Sequence, residues 1–307
     1  MINKNIVIGL VIALVALAGT GVYFYNQQIF SNTTVSGTKG HIVFGIKDAA
    51  ANMGNISSVI VTVNNVQVHS QTEGWVTLSS QTKQYDLLAL KQSGKIEVLA
   101  DTNVAAGTYD QIRLQITKIV VVENGTQKEA KLPSGDLKIM GDVVVKENAT
   151  ATAVFDFMTD ESLHLTGQGK FIFTPVVNLE TRSDADANVN SQNEVDITGG
   201  NTRTKVNVGM DVTGEVREDF KVEQSTKLDL INNVIKVTVQ NESENAVKVS
   251  SDDAIKAAVN GGYLDTVISV ALTTENSKKE WVVSGLKSIM LTNVYISAET
   301  GAYIKSK

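Results

Sequence analysis

In the stretch HIVFGIK, Ile42, Phe44 and Ile46 alternate with His41, Val43 and Lys47. A period of two residues is the pattern of a strand with one buried face, and it leaves little room for a helix. Val59, Val61 and Val63 repeat it. After Asn64 and Asn65 the apolar parity moves to Val66 and Val68, which predicts a β-bulge or bend at that point. Phe171, Phe173, Pro175, Val177 and Leu179 share one parity, and the proline predicts an edge position for that strand. With 42% hydrophobic and 20% charged residues the chain is globular. Its many short strands and scattered turns predict an all-β sandwich over residues 39–182.

Residues 183–201 carry almost no large apolar side chains and read as a polar linker. A second block, 202–307, opens on Val206, Val208, Met210, Val212 and Val216, again at period two. In it, SSDDAIKAAVNGG predicts a helix. Ala254, Ile255, Ala258 and Val259 form its stripe, Ser250 or Ser251 its cap, Asp252 and Asp253 its first turn, and Gly261-Gly262 its end. Strands follow, with a turn at Glu299-Thr300-Gly301, so this block is α+β.

From Ile6 to Tyr25 there is no charge. About 20 such residues suffice for one membrane-spanning helix. Lys4 precedes the run and Lys39 is the next charge, so the positive-inside rule places the bulk of the chain outside. A cleaved signal peptide ending at Ala16-Leu17-Ala18 is the alternative, but the apolar run continues past that site. The reading is therefore an anchor over residues 1–25 and a stalk over 26–38. Five N-x-[ST] sequons, at Asn32, Asn55, Asn124, Asn148 and Asn241, are glycosylation candidates on that side. The chain has no cysteine, which removes disulfides and thiolate chemistry. A net charge of −6 without a basic cluster argues against nucleic acid as a partner.

Several motifs carry a resemblance. GIKDAA (45–50), VTVNNVQVH (61–69), GWVTL (74–78), YDLLAL (85–90), AGTYDQIRL (106–114) and FTPVV (173–177) resemble the DUF4382 family over about residues 39–182. The resemblance implies an exported or membrane-tethered envelope protein with an immunoglobulin- or prealbumin-like sandwich, and no assigned activity. SSDDAIKAAV (250–259), WVVSG (281–285) and VYISAETGAYI (294–304) are similar to the PepSY module. That likeness implies a small helix-plus-sheet unit of the kind linked to peptidase propeptides and envelope proteins.

Candidate chemistry is sparse. His41, His69 and His164 all fall on the polar parity of their strands and could form a zinc site only by converging in space. Ser80-x-x-Lys83 and Ser284-x-x-Lys287 match a penicillin-binding pattern that needs a helix to present Ser and Lys together. Asp184, Asp186, Asn188 and Asn190 alternate as the first ligands of a calcium loop do, although Val189 stands where the turn glycine belongs. Tyr109 and Arg113 share the outward parity of a strand that begins at Gly107. The tyrosine there reads as a tyrosine corner rather than a ligand site. No cofactor is called for. Binding, adhesion or a structural role without catalysis is the leading expectation. Regulation of an envelope peptidase through the PepSY-like module, or a subunit role in a surface filament, are the alternatives.

Overall fold

The computed structural model describes residues 38–49, 52–238 and 247–307. The expected anchor and stalk lie outside them, as do Asn32 and Asn241. Among the described residues no helix is long and apolar enough to cross a membrane. What is described is mainly β, as the alternation demands.

Two sheets face one another. The first contains β1 (Lys39–Asp48), β5 (Glu97–Ala105), β9 (Thr150–Phe157), β12 (Val176–Val189), β13 (Val195–Met210) and β14 (Val216–Glu218), in the order β14-β13-β12-β9-β1-β5. β1 lies between antiparallel β5 and parallel β9. The second is built on β2 (Ile56–Ser70) and β6 (Gly107–Glu123). It adds β3 (Gly74–Ser79), β4 (Lys83–Asp86), β7 (Thr126–Lys131), β8 (Asp136–Val145), β10 (Leu163–Leu165) and β11 (Phe171–Phe173). Two short helices, α1 (Leu87–Ser93) and α2 (Thr159–Ser162), join strands. The inward parity of both sheets makes one core, with Phe44 and Phe155 tilted against each other at 5.9 Å.

The parity switch in β2 is a bulge. Its register against β6 shifts on both sides of Val63, so Val59 and Val61 before it and Val66 and Val68 after it all reach the core. The same device corrects the expectation for Tyr109. The β6–β8 register shifts between Tyr109 and Gln111, which turns Tyr109 inward while Arg113 stays on the outer face. The Tyr109 hydroxyl then donates to the Ala105 carbonyl at 2.9 Å, the bond of a tyrosine corner.

Three expectations need correction. Phe171 to Leu179 is not one strand with an edge proline: Pro175 lies between β11 in the second sheet and β12 in the first, where the chain crosses the sandwich. Pro175 supplies no N–H there, but its carbonyl accepts from Met210 N–H at 2.8 Å. Residues 183–201 are not a linker. They are the outer half of the β12–β13 hairpin, paired from Val176–Gly209 to Val189–Val195. Residue 202 is therefore no boundary, because β13 runs through it and its end, Val208 and Met210, sits in the sandwich core.

A third sheet is built in the order β15 (Lys227–Ile231), β16 (Val234–Thr238), β17 (Thr266–Glu275), β18 (Lys278–Lys287), β19 (Met290–Ser297) and β20 (Tyr303–Ser306). The predicted helix is α3 (Ser251–Asn260): the Ser250 hydroxyl accepts from Asp253 N–H, and Gly261 ends it. Ala254 and Ala258 pack on Trp281, whose ring is fully buried and whose Nε1 donates to the Val249 carbonyl at 2.8 Å. Ile172 of the sandwich shares a small apolar cluster with Val222, Leu228 and Ile235, so the third sheet is seated on the second.

Candidate functional site

The β12–β13 hairpin begins as part of the first sheet and then leaves it. Its register shifts between Thr181 and Arg182, and Asp184, Gly199 and Gly200 hold left-handed backbone (φ 54°, 63° and 78°). Such a bulge bends a strand pair. The outer half folds back across the open face of its own sheet, and its tip lands on the start of β5. Val98 N–H donates to the Asn193 carbonyl and Val195 N–H to the Ile96 carbonyl, both at 2.9 Å. Lys95 pairs with Glu194. Beneath the arm a second, smaller core forms from Val43, Val98 and Val195, with Ala187, Val189 and Ile197 packed on it. Gly45 of β1 makes that closeness feasible: a Cβ there would stand 2.3 Å from Ile96 Cγ2.

Between the arm and the sheet runs a cleft of about 430 Å³. That size suits a small-molecule site. Alternation dictates its floor, because the residues opposite the core parity point into it: Lys47 on β1, Thr152, Val154 and Asp156 on β9, and Asn178, Glu180 and Arg182 on β12. Ile96, Ile197 and Lys205 complete it. Lys47 pairs with Asp156 Oδ2 at 2.8 Å, and Arg182 Nε donates to Glu180 Oε1 at 2.6 Å. Two polar atoms are left over. Thr152, 1% exposed, makes no hydrogen bond through Oγ1, and the buried Oδ1 of Asp156 makes none to the protein either. Buried orphans of this kind each cost about 1–3 kcal/mol.

The sequence-predicted groups lie elsewhere. Asp184, Asp186 and Asn188 on β12, and Asn190 just beyond its end, line one exposed face, where alternate side chains of an extended chain stand about 6.6 Å apart and cannot wrap one cation. Asp184 accepts from Lys146 at 2.7 Å, which holds its carboxyl below the usual range, and Asn190 caps the hairpin tip by accepting from Gln192 and Glu194 N–H. The three histidines stay apart. His41 on β1 pairs with Asp101 at 2.6 Å, and His69 on β2 with Asp110 at 2.7 Å. His164, expected on a polar face, is buried on β10 against Thr174, and burial lowers its pKa to about 4. Among the described residues no group of three His, Asp or Glu side chains is placed to hold a metal.

Ser80 sits in a loop before Lys83, and Ser284 and Lys287 lie three apart on β18, so neither pair is presented on a helix. Arg113 lies over the Trp75 ring at 4.0 Å, with His69 at the ring's edge. Hydrogen bonds from His69 and Gln71 hold the Asp110 carboxyl below its usual range. Asn55, Asn124 and Asn148 are exposed in turns.

A β-sandwich whose own hairpin roofs a polar cleft is thus the class of molecule the fold defines. Residues 39–175 match the family model described as Domain of unknown function (DUF4382). That match ends just before β12, so the arm and half of the cleft lie outside it. Comparisons with curated proteins and with solved structures find no match.

Proposed function

We propose that this chain is a membrane-anchored, outward-facing cell-envelope protein whose work is binding rather than catalysis. The observation that carries the reading is the uncharged run from Ile6 to Tyr25 behind Lys4, followed by an independently cored β-rich body. The exposed sequon asparagines and the roofed cleft support it. Protease treatment of intact cells tests it: the body beyond residue 38 should be cut while a membrane-embedded stub survives alkaline washing. Full protection, or recovery of the intact chain in a soluble fraction, would overturn it.

The alternative role of peptidase regulator draws on the C-terminal module, where one helix packs on the antiparallel run β17-β18-β19, as a PepSY-like unit would. Copurification of an envelope peptidase inhibited by the full chain would favour it. A peptidase that is equally active with and without the chain would remove it.

A further inference from the structure

We infer that the cleft under the hairpin arm binds a short peptide with both ends free, its carboxylate at the Arg182–Lys205 end and its amine at the Asp156–Asn178 end. The inference rests on the binding role proposed above and names its ligand. Register fixes the layout. Asn178 stands opposite Asp156, Glu180 opposite Val154, and Arg182 opposite Thr152. Thr152 and Asp156 stand four residue steps apart on β9, so the trough is about 13 Å long at roughly 3.3 Å per step. A tripeptide extended at 3.3–3.6 Å per residue is about 10 Å long and fits that length.

The two ends differ in chemistry. At one end Arg182 and Lys205 face the single carboxylate of Glu180, which leaves one positive charge in excess. Lys205 is 78% exposed and 3.8 Å from Glu180, and Arg182 commits only part of its donor set, to Glu180 and to the Gly199 carbonyl. A carboxylate suits that end. At the other end the groups available are acceptors: Asp156 Oδ1, buried and unbonded, and the exposed side-chain oxygen of Asn178. An ammonium brings three donors to them. Lys47 now covers Asp156, but its side chain is 39% exposed and long enough to swing aside. Thr152 Oγ1, opposite Arg182, adds a hydroxyl for the last peptide group. The trough has no aromatic wall, which disfavours a sugar, for which ring stacking is the usual platform. The arm belongs to this chain beyond the family match, so the site is not read from the family.

The test is calorimetric titration of the purified full chain in detergent with di-, tri- and tetra-alanine, N-acetylated tri-alanine and tri-alanine amide. Tri-alanine should bind tightest, and each cap should weaken it about tenfold or more, as expected for loss of a charged hydrogen-bonding group. Asp156→Asn should abolish the penalty for the N-terminal cap alone. Lys205→Gln, at a site too exposed to affect folding, should lower the penalty for the C-terminal amide. Lys47→Gln should tighten binding of the free amine by removing its competitor. No binding by any of the peptides, or caps without effect, would overturn the assignment. Because the titration is blind to where the protein resides, its failure leaves the cell-surface reading to be judged by protease treatment alone.

Discussion

His164 should make this protein lose stability in mild acid. Its ring is 4% exposed, and Nε2 lies 2.9 Å from the hydroxyl of fully buried Thr174. Burial lowers its pKa from 6.5 to about 4, so between those values the unfolded chain binds a proton that the folded chain does not. Stability therefore rises with pH across that window and is lost as pH falls through it. The linkage relation gives a loss of about 2 kcal/mol between pH 7 and pH 5, growing to about 3 kcal/mol at pH 4. Other groups titrate as well. Glu97, raised first by burial and then by the charge of Glu194, acts in the opposite direction. A difference measurement removes them. In His164→Gln the amide nitrogen takes the place of Nε2 and does not titrate. Urea unfolding of both proteins at pH 7 and pH 5 should show the wild type losing about 2 kcal/mol more than the variant. A gap that changes by less than about 0.5 kcal/mol, the usual limit of additivity, would refute the argument.

Tyr109→Phe deletes only the hydroxyl that closes the corner on Ala105, so the urea midpoint should fall by the equivalent of about 1 kcal/mol with an unchanged slope; no change would remove the corner from the reading. Gly45→Val places a side chain where Ile96 already lies, so the arm should lift at a cost of about 1–3 kcal/mol, and exchange of the Val98 and Val195 amides should accelerate ahead of the sandwich core. Uniform exchange across the sandwich would show that the arm does not open by itself.

Much of the sandwich was legible because its strands alternate with large apolar residues, and the Asn64-Asn65 parity switch marked its bulge correctly. The arm was missed for the converse reason. Ala185, Ala187 and Val189 alternate with Asp184, Asp186, Asn188 and Asn190 as strictly as any strand, but small side chains make a weak apolar signal. The polar half of that alternation, whose spacing also resembles that of calcium-loop ligands, faces solvent. The cleft could not be seen locally at all. It exists because Val195 returns to Ile96 across a long stretch of chain, and no periodicity records such a contact. His164 sits in a three-residue strand, too short for alternation to decide its face. At Tyr109 one extra residue reversed a parity that was otherwise well read.

The position of β1 has a mechanical side. Any pull that reaches the body from the residues before it enters at Lys39 and runs lengthwise down β1, which is flanked on both sides by ladder hydrogen bonds, to β5 and to β9. Under such loading the rungs are sheared together rather than unzipped singly. The first described strand is thus held from both sides, with β5 as the rim beyond it, and a pull entering at Lys39 would strain two ladders at once instead of peeling an edge strand.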